Sequence, residues 1–256
     1  MYELSFKKGK ESRIIAKIID NKKNDILLYL NNIDNNVKKD KKSITISISK
    51  FVLQPLPNND VVEKIYVSAP SGAGKSTFTA NWIKYGRKYI KPKLEEIYIF
   101  STIDDDPPLD KLNPIRIDLD DGLYDNMFDP EEIENSIVIF DDIDTMMDKS
   151  MRHHITNFKN FLLEQGRHYN IRMIMTSHLM SNYVETRCTL NEATAVCFFP
   201  HSSSTYHLKI FLKTHGGFEK HQIDQILNIE SRWICLYKTM PQYLIWETGA
   251  ILCRDL

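Results

Sequence analysis

Short, mostly apolar runs punctuate this chain, and helix-spaced stripes fill the gaps between them. Residues 65–67, 96–101, 136–140, 170–178 and 193–199 are such runs, the last closed by Pro200. Strands buried on both faces of a parallel sheet have this pattern. After the first run, Phe78, Trp82 and Tyr85 share one helical face, with Gly86 as a possible stop. Between the third and fourth runs, Met151, Ile155, Phe158, Leu162 and Gln165 repeat at helical spacing over 149–165, with Gly166 marking the end. Residues 206–213 and 219–227 read as helices around a turn at 215–217, and 233–237 and 243–246 as a strand pair around Met240 and Pro241. Residues 104–108 break any regular element, and 115–117 form a short strand. Strand and helix in alternation predict an α/β fold with a mostly parallel central sheet and helices on both faces.

The first 53 residues differ. Asn, Lys and Asp dominate 20–42, interrupted by the apolar stretch 26–30, and residues 43–49 alternate strictly between polar and apolar. With a second strand at 13–19, residues 1–53 read as a small β-rich appendage or an edge extension of the main sheet. Pro55 and Pro57, with Asn58, Asn59 and Asp60, make a stiff connector at the start of a main domain over 54–256.

Composition, 42% apolar and 26% charged, is that of a soluble globular chain, and its length suffices for a proper core. The net charge of −1 conceals segregation: residues 1–50 carry a local charge of +6 and residues 101–150 one of −13. The N-terminal lysines read as a solvated face, and Asp104, Asp105 and Asp106, beside two prolines, as a solvated turn rather than a metal site. Cys188, Cys197, Cys235 and Cys253 lie far apart, and the last three sit in apolar runs, which predicts buried free thiols and a reducing compartment. The eight histidines lack zinc-ligand spacing. Charge comes too early for a signal peptide and no run is long enough to span a membrane, so the expected setting is intracellular.

Chemistry concentrates at two places. The first is the turn after the 65–67 run: Ala69, Pro70, Ser71, Gly72, Ala73, Gly74, Lys75, Ser76 and Thr77. A glycine-containing turn between strand and helix, ending in Lys-Ser, is a phosphate-binding P-loop. Backbone N–H groups and the positive helix end receive the phosphates of ATP, Lys75 adds a mobile charge, and Ser76 is placed for Mg²⁺. Ala69 stands where the first glycine of the motif belongs, which is harmless only if that position needs no positive φ. The second place is the carboxyl end of the 136–140 run, where acidic residues appear at the edge at which open α/β sheets bind ligands. Asp141 is placed to meet the Mg²⁺ held by Ser76, and Asp142 to activate a water for attack on the γ-phosphate. The 170–178 run ends in Thr176, Ser177 and His178, candidates for a γ-phosphate sensor; His178 reads equally well as a loop cap.

Together, the 69–77 loop, the 137–142 strand end and the segment Gln165, Gly166, Arg167, His168, Tyr169, Asn170 and Ile171 resemble the genome-packaging ATPases of large nucleocytoplasmic DNA viruses, within the FtsK–HerA superfamily. The resemblance extends to Thr176–His178, the stretch from Arg187 to Glu192 and residues 198–202, and covers about 51–247. It implies an additional-strand, RecA-like P-loop NTPase acting as a homo-oligomeric ring on double-stranded DNA. It also implies contact with capsid proteins, no membrane, and a place in the host cytoplasm or the virion. It further implies an arginine that reaches the γ-phosphate of a neighbouring subunit, with Arg167 the first candidate and Arg187 the second. The chain departs from superfamily relatives in carrying Ser177 and His178 where Gln is common, and Asp142 where Glu is common. The leading expectation is a DNA-translocating ATPase. Its rivals are a nucleotide-binding structural protein of a virion and a P-loop kinase, although no arginine-rich lid is visible for the latter.

Overall fold

The computed structural model describes all residues except 20–25, 34–42, 47–51, 95, 121, 126 and 183–184. Strands β1 (Tyr2–Ser5), β2 (Glu11–Ile19), β3 (Ile26–Asn32), β4 (Ser43–Thr45) and β5 (Val52–Pro55) come first. Next come β6 (Lys64–Ser68), α1 (Lys75–Gly86), β7 (Ile97–Ser101), α2 (Pro107–Asp110), β8 (Ile115–Ile117) and α3 (Gly122–Asp125). The second half runs β9 (Ile137–Asp141), α4 (Lys149–Gln165), β10 (Arg172–Ser177), α5 (Arg187–Glu192) and β11 (Ala195–Phe198). It closes with α6 (Thr205–Thr214), α7 (Lys220–Leu227), β12 (Ile234–Tyr237), β13 (Tyr243–Trp246) and β14 (Gly249–Leu252).

A ten-stranded sheet in the order β4-β14-β13-β12-β11-β6-β10-β9-β7-β8 forms the centre. From β11 to β8 every pairing is parallel, and from β11 to β4 every pairing is antiparallel. Strand β10 lies between β6 and β9, the insertion that defines the additional-strand class. Alternation along each strand sends side chains to two separate cores. Ile65, Val67, Ile137, Ile139 and Ile174 pack with Phe78, Trp82 and Ile83 of α1 on one face. Tyr66, Val138, Phe140, Met173 and Met175 pack with Met151, Ile155, Phe158 and Leu162 of α4 on the other. Helices therefore cover both faces, as the runs and stripes require.

The strands of the first 55 residues divide between two sheets, and β5 carries the first of them past residue 53 through Pro55. Strands β1, β3, β2 and β5 form a separate antiparallel sheet, whose Ile15, Leu28, Leu30 and Leu53 join the α1-side core. Strand β4 instead pairs with β14 as an edge of the main sheet; residues 47–49 of the alternating stretch lie outside the described residues. Strand β14 and helix α5 were not anticipated. Gly86 ends α1 with ordinary right-handed angles, and a Cβ there would lie 2.5 Å from Cδ of Pro57. Its glycine serves close approach rather than a left-handed stop. Gly166 is likewise right-handed; the chain turns at Asn170, in the left-handed region with φ 53°.

At the amino-terminal edge of the sheet, Glu63 is 1% exposed and 3.8 Å from Arg172, whose Nη1 donates to the Val61 carbonyl at 3.0 Å. Burial raises the Glu63 carboxyl from its usual 4.5 to about 8, against the opposing pull of Arg172. The folded state thus keeps a proton that the unfolded chain gives up. Stability from this group is fully present below about pH 4.5 and is lost as pH rises through about 8. Thermal unfolding of wild type should show Tm falling between these limits, and Glu63→Gln should flatten the fall. An unchanged slope in the variant would refute this assignment.

Candidate active site

Strand β6 delivers its last residue, Ser68, level with Ser177 of β10, and β7 brings Ser101 level with Asp141 of β9. The carboxyl ends of these strands make one shelf, and the 69–77 loop rises from it into α1. Gly72 (φ 76°) and Gly74 (φ 112°) take left-handed conformations that a side chain would strain, so backbone N–H groups can turn inward. Ala69 is absent from the positive-φ residues and is buried, so the missing glycine costs the loop nothing. The Ala69 N–H donates to the Ser177 carbonyl at 3.1 Å, tying the loop to β10.

Asp141 is 2% exposed. Its carboxylate accepts from Thr176 Oγ1 at 2.7 Å and from Ser101 Oγ at 3.2 Å. Burial raises its pKa, Thr176 and Ser101 oppose that shift, and the neighbouring Asp142 charge adds to it. A buried carboxylate pressed by a second one is a place where a cation is welcome. Among the described residues no three His, Cys, Asp or Glu side chains cluster as a protein-only metal cage. One buried carboxylate with a nearby hydroxyl suits Mg²⁺, which keeps water and phosphate oxygens and takes one or two protein ligands. Ser76, half-buried at the start of α1, and Asp141 are the residues that would hold it.

Asp142 sits in the left-handed region with φ 46°, a conformation aspartate tolerates better than most residues. The kink accompanies an Asp142 N–H bond to Thr176 Oγ1 at 3.0 Å. Asp142 Oδ2 lies 3.2 Å from Lys75 Nζ and 3.1 Å from His178 Nε2. Lys75 Nζ in turn donates to the Ala69 carbonyl at 3.0 Å and approaches His178 Nδ1 at 3.4 Å. An ammonium can only donate, so Nδ1 receives it and the ring proton resides on Nε2, aimed at Asp142. Lys75, Asp142 and His178 thus form a closed triangle, with Asp142 engaged by the lysine that grips phosphate in P-loops.

Lys75, Asp141, Asp142, Thr176, Ser177 and His178, far apart in sequence, are together. His178 is one corner of the triangle. Ser177 Oγ faces Asp144 Oδ2 at 3.1 Å instead of the loop. Arg167 is exposed in the turn after α4; Tyr169 of that turn accepts from the Asn135 N–H at the foot of β9. It therefore lies on the edge opposite its own loop. Arg187 is exposed at the start of α5. Ser101 was missed by sequence reading; a lone hydroxyl closing the apolar run at 96–101 was the available signal. Cys197, Cys235 and Cys253 are buried free thiols and Cys188 is partly buried. No helix among the described residues is long and apolar enough to cross a membrane.

Fold, strand insertion and loop together define a P-loop NTPase of the additional-strand class. The chain belongs to the family of uncharacterized protein V3 of Sputnik virophage, with 39% identity over 244 residues, 94% of this chain and 96% of that protein. No protein-family model matches it. Among solved structures, the pCW3 conjugation coupling protein TcpA, monomer form with ATPγS, is similar at TM-score 0.50 and 12% identity, covering 93% of this chain and 77% of that one. B204, the DNA-packaging ATPase from Sulfolobus turreted icosahedral virus, matches at TM-score 0.48 and 12% identity, over 70% of this chain and 92% of that one.

Thr176→Val removes the hydroxyl shared by both carboxylates while keeping the shape. Steady-state phosphate release from Mg²⁺–ATP should fall by roughly ten- to a hundredfold, with fluorescent nucleotide binding nearly unchanged. Unaltered release would mean that the hydroxyl does not orient the carboxylates for chemistry.

Proposed function

We propose that the chain is the ATP-hydrolysing subunit of a motor that moves double-stranded DNA into a viral capsid. One observation carries this reading: the P-loop lysine and the second carboxylate of β9 meet at 3.2 Å across a strand whose Thr176 hydroxyl bonds the first carboxylate. A P-loop, a buried acidic strand end and a polar-tipped strand between them are what ATP hydrolysis needs. The TcpA and B204 names, a coupling protein and a packaging ATPase, agree with work on DNA, and the virophage relative agrees with a viral setting.

In this reading the loop N–H groups and Lys75 receive the β- and γ-phosphates. Lys75 exchanges its bond with Asp142 for the phosphate oxygens, which leaves Asp142 free to accept a proton. Water oxygen bonds to the γ-phosphorus, the bond to the bridging oxygen breaks, ADP leaves, and the water proton passes to Asp142. Mg²⁺, when bound by Ser76 and Asp141, neutralises phosphate charge. Thr176 keeps the two carboxylates in register, and His178, on the triangle, senses whether Lys75 has moved.

Arg167, exposed on the edge away from its own loop, is available to a neighbouring chain of a homo-oligomeric ring. Arg187 is the alternative. Capsid proteins and the DNA entry point are the partners such a ring would meet.

Phosphate release measured with and without duplex DNA tests the reading. Wild type should be stimulated by duplex, and Asp142→Asn should lose about two orders of magnitude while still binding nucleotide. Mixing Asp142→Asn with Arg167→Ala subunits should restore part of the activity if Arg167 acts across an interface. Transfer of phosphate to a small acceptor, or tight binding with no release by wild type, would overturn the motor.

A further inference from the structure

On the sheet face covered by α4, a cavity of about 350 Å³ opens between α4 and α5. Its floor is apolar, built from Phe140, Ile143 and Met175. Its wall includes Thr176, whose hydroxyl reaches Asp141 on the other side. Its rim carries the cations Lys149, Arg152 and Lys159, which with His153 project from one side of α4, within an arc of about 120° at 100° per residue. Two acids also line it, and both are engaged. Asp144 accepts from Ser177 Oγ at 3.1 Å, and Glu185 accepts from Asn182 Nδ2 at 3.1 Å.

Arg152 Nη1 donates to the Asp144 carbonyl at 3.1 Å, so its guanidinium is held against the cavity. Lys159, half-buried in the wall, has no hydrogen-bond or ion-pair partner among the described residues. Burial disfavours its charged form and lowers its pKa, against the opposing pull of Cys188, Asp144 and Glu185. An ammonium drawn out of water beside a cavity, with the nearby carboxylates hydrogen-bonded to Ser177 and Asn182 rather than to it, has no hydrogen-bonded anion.

We propose that this cavity is a phosphate-binding pocket, held by Lys159 and Arg152, that takes a backbone phosphate of duplex DNA and reports its presence to the carboxylates through Thr176. The proposal rests on the motor reading. A polymer is favoured over a free ion because exposed Lys149 continues the positive rim beyond the half-buried Lys159. The apolar floor accepts the sugar carbons beside the phosphate. A phosphate drawn toward Lys159 and Arg152 would load the Asp144–Ser177 contact and the Thr176 wall, giving hydrolysis a dependence on DNA.

The test compares wild type, Lys159→Met and Lys159→Arg for binding of a short duplex over a salt series. It also measures phosphate release with duplex or with inorganic phosphate alone, and affinity for an ATP analogue. Lys159→Met should weaken duplex binding roughly tenfold and reduce the slope of log K against log salt by about one. It should lose the duplex stimulation and keep its affinity for the analogue, while Lys159→Arg should retain most of the duplex binding. Equal duplex affinity and salt slope in wild type and Lys159→Met would overturn the pocket. So would a Lys159→Arg as defective as Lys159→Met, which marks a packing role, or inorganic phosphate reproducing the full effect, which marks a small-anion site. Wild type that hydrolyses ATP without binding duplex sinks the pocket and leaves hydrolysis standing. Wild type that binds no nucleotide sinks both.

Discussion

One hydroxyl between two buried carboxylates organises this molecule's chemistry. Thr176 Oγ1 donates to Asp141 and accepts from the backbone N–H of Asp142, so the last turn of β9 and the tip of β10 cannot move apart without leaving polar groups unpaired. The contact exists only because β10 is inserted between β6 and β9. That insertion also fixes the lateral distance from the P-loop to the acids, and the Ala69–Ser177 backbone bond sets the loop's height above the shelf. Parallel pairing does the rest, because strand register leaves each tip residue little freedom.

Electrostatics explain why the resting site is arranged as it is. Two carboxylates in one buried corner repel, and burial pushes the Asp141 carboxyl further toward its protonated form. Lys75 and His178 answer the charge of Asp142, one by ion pair and the other by a ring N–H. A triphosphate would compete for Lys75, which gives a physical route from nucleotide arrival to a freed base. His178 belongs to the same arrangement. It can accept from the lysine and donate to the aspartate at once, within a single tautomer.

Much of this was legible in the residues. Uninterrupted apolar runs marked the parallel strands, and the stripes of Phe78 and Trp82 and of Met151, Ile155, Phe158 and Leu162 marked the helices that cover opposite faces. The loop and the β9 tip were readable because phosphate and acid chemistry demand particular residues at particular spacings. Long-range features were hidden. Nothing local announces that β4 leaves its own sheet to pair with β14, or that Gly86 is glycine because Pro57 rests on it. The turn at Asn170 was masked by the more conspicuous Gly166. Ser101 and Thr176 were hard to rank because a single hydroxyl at a strand end acquires meaning only when the neighbouring strand is known. His178 was ambiguous for the same reason.

In the proposed reading, a triphosphate and its magnesium are held between the 69–77 loop and the end of β9. Crystals grown with a non-hydrolysable ATP analogue and Mn²⁺ in place of magnesium test it most directly, because manganese is located by its anomalous scattering. One strong peak should appear between Ser76 Oγ and the Asp141 carboxylate, with Lys75 drawn off Asp142 onto the phosphates. Manganese bound elsewhere, or an analogue seated in the loop while Lys75 stays on Asp142, would contradict it.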